Sequence, residues 1–450
     1  MNFAFSGLTL SIFLITLVTN SAEQTDPLIE SKVLESSRET TLRATHELWE
    51  NLQVLSPEDL RETSSFGSTT SVYRDLLIIG APNAAQDGIS SGAAYIYRYN
   101  RTKETWEREA ILLPNDPEDG DFFGRSVSIS STHAAVGNDR DDVGFSLSAG
   151  SVTIFEFDSQ SKTWINQQRI FASDSDPNQS FGNSVSLNNG TLLIGAIGDD
   201  QNGDNSGAAY IFNLDADKSL WKESQKLLPN DGDAFDWFGG SLGVTDEFAI
   251  VGAMFDDENG ESSGSVYSFV REPLTGSWIQ QQKLVPSDTG ADMLFGNSVA
   301  IDGRFLLVGA RWADSGGRSD AGQAYIFSST GDSMLWQEKQ IIAETTPGSF
   351  ASFAFSVAIA GEQFVIGTIW DRIDGVRAGS ASLYRLGENG DSFEKRQTFF
   401  PFEPVDDDDF GSAVSLTQKF IFVGARGEDI GRGSAYVYFV PPIFKDGFEK

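Results

Sequence analysis

Hydrophobic and polar residues alternate along this chain in short runs that repeat every 57 or 58 residues. The clearest landmark is a phenylalanine, usually followed by glycine, that opens an alternating stretch. It recurs at Phe66, Phe123, Phe181, Phe238, Phe295, Phe353 and Phe410. Each run is short and bounded by turn residues, which is typical of β-strands. We call this stretch strand A.

Three more strands follow from the same period. Strand B is an apolar run that ends in Gly-Ala, as in Leu192 to Ala196, and strand C alternates aromatic residues after a small one, as in Gly207 to Phe212. Strand D starts 17 positions before each strand-A phenylalanine, at Trp49, Trp106, Trp164, Trp221, Trp278, Trp336 and Phe393. Four strands in a period near 57 residues predict the blades of a β-propeller.

The two ends of the chain predict how the propeller closes. After Phe410 the sequence supplies strands A, B and C and stops near Val440, while an extra strand D, Trp49 to Leu55, precedes the first strand A. Pairing these pieces would remove an exposed sheet edge. We therefore predict an all-β, seven-bladed β-propeller of four-stranded antiparallel blades, in which the N-terminal strand completes the last blade.

The motifs also resemble a known family. The Phe-Gly pairs and Gly80-Ala81-Pro82 resemble the FG-GAP repeats of integrin α-chain propellers and of exported bacterial proteins. The resemblance covers residues 49 to 440 and implies the fold, whereas propellers serve many functions. The links between strands A and B are tight turns such as Asn188-Asn189-Gly190, so the integrin calcium loops are not carried over. The chain looks like the loop-poor bacterial branch.

The flanking segments predict export. An apolar run from Phe3 to Val18, followed by Asn20, Ser21 and Ala22, is typical of a signal peptide over residues 1–22, with an uncleaved anchor as the alternative. A polar linker over residues 23–45 leads into the propeller, residues 46–440, and a short tail follows at 441–450. We expect a secreted, periplasmic or cell-surface protein with no membrane insertion after signal removal.

Composition narrows the chemistry. The chain has no cysteine, which excludes disulfides, thiolate metal sites and a cysteine nucleophile. Its net charge of -33 disfavours nucleic acid, because phosphate binding requires Lys and Arg. His46 and His133 are the only histidines, and no motif marks either as catalytic. We assign no catalytic residue and expect a monomer.

Antiparallel strands place the B–C and D–A loops on one face of the ring and the A–B and C–D turns on the other. We call these the loop face and the turn face. Carboxylates concentrate on the loop face, and two B–C loops have spaced acidic residues typical of calcium ligands. These candidates are Asp199, Asp200 and Asp204 in one loop and Asp256, Asp257 and Glu261 in the other. The alternative is that they only cap turns in solvated loops.

Aromatic residues outside the repeat positions are the candidates for ligand binding. Phe255, Trp312 and Trp370 each lie three residues after the glycine of strand B in consecutive blades, and Trp237 precedes a strand A. We expect them to form an arc on the loop face, where they could stack on a sugar or on a partner's Arg or Lys. The alternative is that they plug the pore mouth. Arg311, beside Trp312, is expected to pair with nearby carboxylates.

The sequence thus favours an exported, non-catalytic binding or adhesion module that engages a protein or glycan through its acidic loop face. A lectin is the alternative within binding. The alternative from another class is a polysaccharide hydrolase that uses an Asp/Glu pair near the pore, since two carboxyl groups suffice for that reaction.

Overall fold

The computed structural model describes residues 53–85, 90–215, 217, 220–329, 334–344 and 348–440. In this part of the chain seven four-stranded antiparallel sheets form. The signal peptide and linker predicted over residues 1–45, together with Trp49 and the tail 441–450, lie outside the described residues. No helix among the described residues has the length and apolar character required to cross a membrane.

Each blade has the predicted strand order from A to D. Strand A is Thr69–Tyr73 (β2), Ser126–Ile129 (β6), Phe181–Asn188 (β10), Phe238–Val244 (β14), Phe295–Asp302 (β18), Phe353–Ala360 (β22) and Phe410–Leu416 (β28). Strand B is Leu76–Ala81 (β3), His133–Asn138 (β7), Thr191–Ala196 (β11), Phe248–Ala253 (β15), Phe305–Ala310 (β19), Gln363–Thr368 (β23) and Phe420–Ala425 (β29). Strand C is Ala93–Asn100 (β4), Ser151–Asp158 (β8), Ala208–Leu214 (β12), Ser265–Arg271 (β16), Gln323–Ser329 (β20), Ser380–Leu386 (β26) and Ser434–Phe439 (β30).

Strand D lies at the outer edge of each blade. It is Thr105–Leu112 (β5), Thr163–Ile170 (β9), Trp221–Leu227 (β13), Trp278–Leu284 (β17), Trp336–Ile342 (β21), Phe393–Phe399 (β27) and, for the last blade, Gln53–Leu55 (β1). Blade 1 begins at β2 and blade 7 at β28. The B–C loop of blade 6 contains a small hairpin, Arg372–Ile373 (β24) and Val376–Arg377 (β25). The B–C loop of blade 7 contains a helical turn, Glu428–Gly431. The seven A strands contact one another in sequence around the centre, so the ring is complete.

The N-terminal strand closes this ring. It pairs antiparallel with β30, placing Gln53 opposite Val437, Val54 opposite Tyr436 and Leu55 opposite Ala435. Blade 7 therefore combines residues from both ends of the propeller, which confirms the predicted closure. The pairing leaves no unpaired edge on β30.

The repeated glycines pack neighbouring blades together. Gly195 is the penultimate residue of strand B in blade 3 and lies against the carbonyl oxygen of Gly239, which follows the first phenylalanine of blade 4. A Cβ at position 195 would overlap that oxygen. The same contact joins Gly424 of the last blade to Gly67 of the first. The Gly-Ala and Phe-Gly pairs are therefore two halves of one contact between blades, which explains why both recur.

Aromatic residues fill the space between blades. The strand-A phenylalanines pack edge-on against strand-C tyrosines, as Phe238 does with Tyr267 at 5.4 Å between ring centroids. Strand-D aromatics such as Trp221 are buried as well, in agreement with a packing role. His133, for which the sequence predicts no catalytic role, opens β7 and is buried with its ring edge-on to Trp221 at 5.5 Å.

Glutamines on the outer strands clamp one blade to the next. Gln225 on β13 donates to the backbone oxygen of Trp278 at 2.7 Å and accepts from the backbone N–H of the same residue at 2.8 Å. Gln53 on β1 makes the same pair of bonds with Trp106 on blade 1, both 2.8 Å. Further clamps of this kind start at Gln168, Gln282 and Gln340. The closing strand is thus fixed to both of its neighbours.

Candidate functional site

Two candidate calcium ligands on the loop face are buried and bound to lysines. Asp199 is 4% exposed, and its Oδ2 lies 2.7 Å from the Nζ of Lys226 and 2.9 Å from the hydroxyl of Tyr210. In the next blade Asp256 is bonded in the same way to Lys283 and Tyr267, both at 2.9 Å. The lysines come from strand D and the tyrosines from strand C. Each aspartate therefore ties the B–C loop to its own blade.

The lysine charges are stabilised by these contacts. Burial opposes the charged form of Lys283, but hydrogen bonds to Glu258, Asp231 and Asp256 outweigh it and raise the pKa of the lysine above its usual range. Burial, together with the charge of Asp256, raises the pKa of Tyr267 well above its usual value, so its hydroxyl remains a donor. The ammonium group already neutralises the carboxylate that a calcium ion would need.

The other calcium candidates act within their own loops. Asp200 accepts the backbone N–H of Asn205 at 2.7 Å, and Asp257 accepts that of Ser262 at 2.6 Å, which are turn-capping bonds. Asp204 accepts the side-chain amide of Asn205 at 2.7 Å, and Glu261 is exposed. Among the described residues no group of three or more acidic or histidine side chains is arranged to hold a metal ion. In this arrangement Asp199 and Asp256 pair with lysines and the other four residues lie in or cap turns, so calcium binding by these loops stays a prediction.

A second set of aspartates is buried in the D–A loops, two residues before the strand-A phenylalanine. Asp121 accepts the backbone N–H of Glu118 at 2.9 Å, and Asp236 that of Asp233 at 2.7 Å. Burial raises the pKa of both carboxyl groups to about 6, although these backbone hydrogen bonds oppose the shift. Both carboxyl groups are bound within the loops that they shape.

The candidate aromatic residues lie in the B–C and D–A loops of blades 4, 5 and 6. Trp237 and Phe255 are partly buried against each other, edge-on with ring centroids 4.8 Å apart. Trp370 is also partly buried, with the guanidinium of Arg377 5.8 Å from its ring. Trp312 is the most accessible of the four, at 37% exposure. The structure therefore pairs two of these rings and leaves Trp312 open to solvent.

The loop face also carries exposed apolar side chains that the sequence analysis did not single out. Phe235 and Phe350 occupy the same D–A position, three residues before the strand-A phenylalanine, and are 56% and 59% exposed. Their φ angles are 70° and 61°, in the left-handed region. Other exposed residues on this face are Phe145, Leu147, Phe402, Val405 and Ile430. The shared position of Phe235 and Phe350 within the repeat was the signal available in the sequence.

Arg311 does not form the carboxylate pair that was expected. It makes no ion pair with a described residue, and its Nε is buried without a hydrogen-bond acceptor. Its guanidinium lies instead 5.4 Å from the ring of Trp312 and 5.3 Å from that of Phe355. The position is the first of a B–C loop, next to the end of β19.

The turn face has a cavity at the centre of the ring. It has a volume of about 940 Å³, with an apolar lining from the inner strands that includes Val72, Ile301, Ile359 and Leu416. Arg74, Arg101 and Lys419 also line it. This opening lies on the face opposite to the candidate aromatic residues.

The FG-GAP repeat family matches residues 49–97, 106–155, 164–212, 221–269, 278–327 and 394–438, well over half of the chain. The chain belongs to the FG-GAP repeat family. The first matched segment starts at residue 49, outside the described residues. The others start within a strand D, and all six end within a strand C, so the family repeat spans the junction of two blades. The matches omit the repeat that begins at Trp336, in which Ala354 replaces the glycine of Phe-Gly.

Comparison with other proteins supports the fold of this FG-GAP protein but does not identify its function. No similar sequence was found among curated proteins. The WD40 repeats of RRP9 are similar in structure, with 11% identity and a TM-score of 0.50, covering 87% of this chain and 98% of that one. The periplasmic gluconolactonase PpgL of Pseudomonas aeruginosa gives 16% identity and a TM-score of 0.45, covering 76% and 87%. A putative 6-phosphogluconolactonase from Bacteroides fragilis gives 12% and 0.48, covering 76% and 86%.

Proposed function

We propose that this FG-GAP propeller is an exported, non-catalytic binding module that engages a protein or glycan ligand through its loop face. The apolar N-terminal run supports export, as set out above. The ligand would lie across loops from several blades, because the candidate aromatic residues come from blades 4, 5 and 6. A lectin is one form of this function.

The observation that supports the proposal is the pair of exposed phenylalanines in left-handed conformation. A bulky residue with positive φ costs about 1 kcal/mol or more. Glycine adopts this conformation without that cost, and Asn and Asp tolerate it better than other residues do. At the same position four of the other five blades have such a residue, namely Gly120, Asn178, Asp292 and Asp407, and the fifth has Thr63. Phe235 and Phe350 are more than half exposed, so burial does not offset this cost. Several exposed apolar side chains on one face support the use of that face as an interaction surface.

The proposal is tested by removing these side chains. The purified protein is screened on a glycan array and with a phage-displayed peptide library, and every hit is measured again with Phe235→Ser combined with Phe350→Ser. We expect binding to fall at least tenfold while the melting temperature stays within a few degrees. The control is Leu274→Ser, which removes a 95% exposed side chain from a C–D turn on the opposite face.

Two outcomes contradict the proposal. One is a protein that binds neither glycans nor peptides, and the other is binding that depends on Leu274 and not on the two phenylalanines. Cleavage of a bound glycan, lost on a single carboxylate substitution, would instead support the polysaccharide hydrolase.

A further inference from the structure

Two arginines on the loop face share one aromatic ring. The guanidinium carbon of Arg311 lies 5.3 Å from the centroid of Phe355, and that of Arg426 lies 5.5 Å from it. Arg311 is the first residue after strand B of blade 5, and Arg426 is the first after strand B of blade 7. Phe355 comes from strand A of the blade between them. Two positive charges therefore meet beside one ring on the acidic face.

The fold fixes this arrangement through Asn297 on β18. Its side-chain oxygen accepts the backbone N–H of Arg311 at 3.0 Å, and its side-chain nitrogen donates to the backbone oxygen of Phe355 at 3.0 Å. The side-chain amide of Asn297 thus fixes the backbone of Arg311 relative to the backbone of Phe355. The site is built on strand ends, which position side chains more firmly than loop tips do.

The two arginines differ in how their charge is balanced. Arg426 donates from Nε to Asp409 at 2.9 Å, whereas Arg311 has no carboxylate partner among the described residues. Burial, and then the charge of Arg426, lowers the pKa of Arg311. An uncompensated, partly buried charge destabilises the protein. It is also unusual for an arginine to lack a carboxylate partner in a chain with 65 acidic residues and 32 basic ones. An anionic ligand would supply the missing partner.

The surroundings narrow the chemistry of that anion. A guanidinium matches the planar geometry of a carboxylate through two parallel hydrogen bonds. Trp312 is next to Arg311 in the chain, with its ring 5.4 Å from the guanidinium and partly open to solvent. An open aromatic ring beside a cation suits a sugar, whose C–H face stacks on the ring while its carboxylate reaches the arginine.

We propose that Arg311 and Arg426 bind the carboxylate of a uronic acid residue whose sugar ring packs against Trp312. This inference rests on the proposed function and selects a glycan with uronic acid residues as its ligand. The carboxylates elsewhere on the loop face would repel long polyanions, so a short uronic acid oligosaccharide fits the site better than a long charged chain.

The experiment is calorimetric titration with tetragalacturonate, its fully methyl-esterified form, and a peptide of four glutamates. We expect tetragalacturonate to bind and the ester, which lacks the charge, to bind at least tenfold more weakly, because a charge-assisted pair is lost. Arg311→Gln should weaken tetragalacturonate binding about tenfold or more without lowering the melting temperature, since it removes an unpaired charge. Higher salt should weaken the wild-type interaction.

The matched control is Arg140→Gln. Arg140 is also on the loop face and lies 4.6 Å from an aromatic ring, that of Phe122, but in blade 2. We expect its substitution to change tetragalacturonate binding less than twofold.

Three results would overturn the inference. They are equal binding of tetragalacturonate and its ester, unchanged binding in Arg311→Gln, and binding of the glutamate peptide in preference to the sugar. In each case the proposed function would still hold if another ligand bound in a way that depends on Phe235 and Phe350. A protein that bound no ligand in the array and library screens would refute the proposed function itself.

Discussion

Two lysines on the outer strands neutralise buried aspartates on the loop face. The side chain of Lys283 is only 16% exposed and reaches Asp256, whose side chain is 3% exposed. Removing one partner of a buried ion pair leaves the other charge without compensation, which costs more than the pair itself contributes. The acidic loops are thus held to the blade by a strand-D residue.

Lys283→Met is expected to lower the free energy of unfolding by about 3 kcal/mol, because it leaves the buried carboxylate of Asp256 without a positive partner. Urea titration of wild type and variant measures this difference. Lys103→Met is the control: its side chain is 66% exposed and pairs with Glu107, which is itself 43% exposed, so a change of about 0.5 kcal/mol or less is expected. Equal losses in the two variants would show that the buried pair has no special role.

This pairing explains why the residue chemistry was only partly predictable. The spacing of Asp199, Asp200 and Asp204 was visible in the sequence, and so was the choice between calcium ligation and turn capping. The sequence did not show that Lys226 lies beside Asp199, because that depends on how strands C and D pair across a bulge near Ile211. The isolation of Arg311 likewise depends on which carboxylates the fold places near it.

At the scale of elements, the strand-D glutamines link neighbouring blades. Each lies four residues after the strand-D aromatic, a pattern present in six of the seven repeats, with Ala110 as the exception. Each described clamp adds two hydrogen bonds to the contact of Phe-Gly with Gly-Ala. The glutamine position was readable from the sequence, but its role required the spatial neighbour, since the bonded residues are 53 or 54 positions apart.

Gln225→Ala should destabilise the protein by about 1–3 kcal/mol, because it removes two bonds and leaves the partly buried backbone groups of Trp278 unpaired. Chemical denaturation provides the measurement. Gln337→Ala, an exposed glutamine on β21, serves as the control and should change stability by less than about 0.5 kcal/mol. If both substitutions had the same small effect, the glutamines would not hold the blades together.

At the scale of the whole molecule, the repeat made the architecture predictable. Seven concordant copies specified the strands, and the spare strand D at the N-terminus specified how the ring closes. The proposed binding site was less predictable because it consists of departures from the repeat, such as Phe235, Phe350 and Arg311. A periodic pattern predicts the packing that every blade shares. The role of these three residues depends on which loops the closed ring brings close together, and the period does not predict that.

Closure of the ring by β1 is the claim on which the position of every loop depends. It is tested most directly by Leu55→Cys combined with Ala435→Cys, since these residues face each other across β1 and β30 and the chain has no other cysteine. Directly opposed residues in an antiparallel pair are close enough for a disulfide. The slipped pair Leu55→Cys with Tyr436→Cys is the control, because adjacent residues point to opposite faces of a sheet.

The measurement is mass spectrometry of proteolytic peptides from the oxidised monomer. The account predicts that most molecules of the Leu55–Ala435 variant contain an intramolecular peptide cross-link and that few of the slipped variant do. No cross-link, a cross-link only between two molecules, or equal yields from the two variants would contradict it.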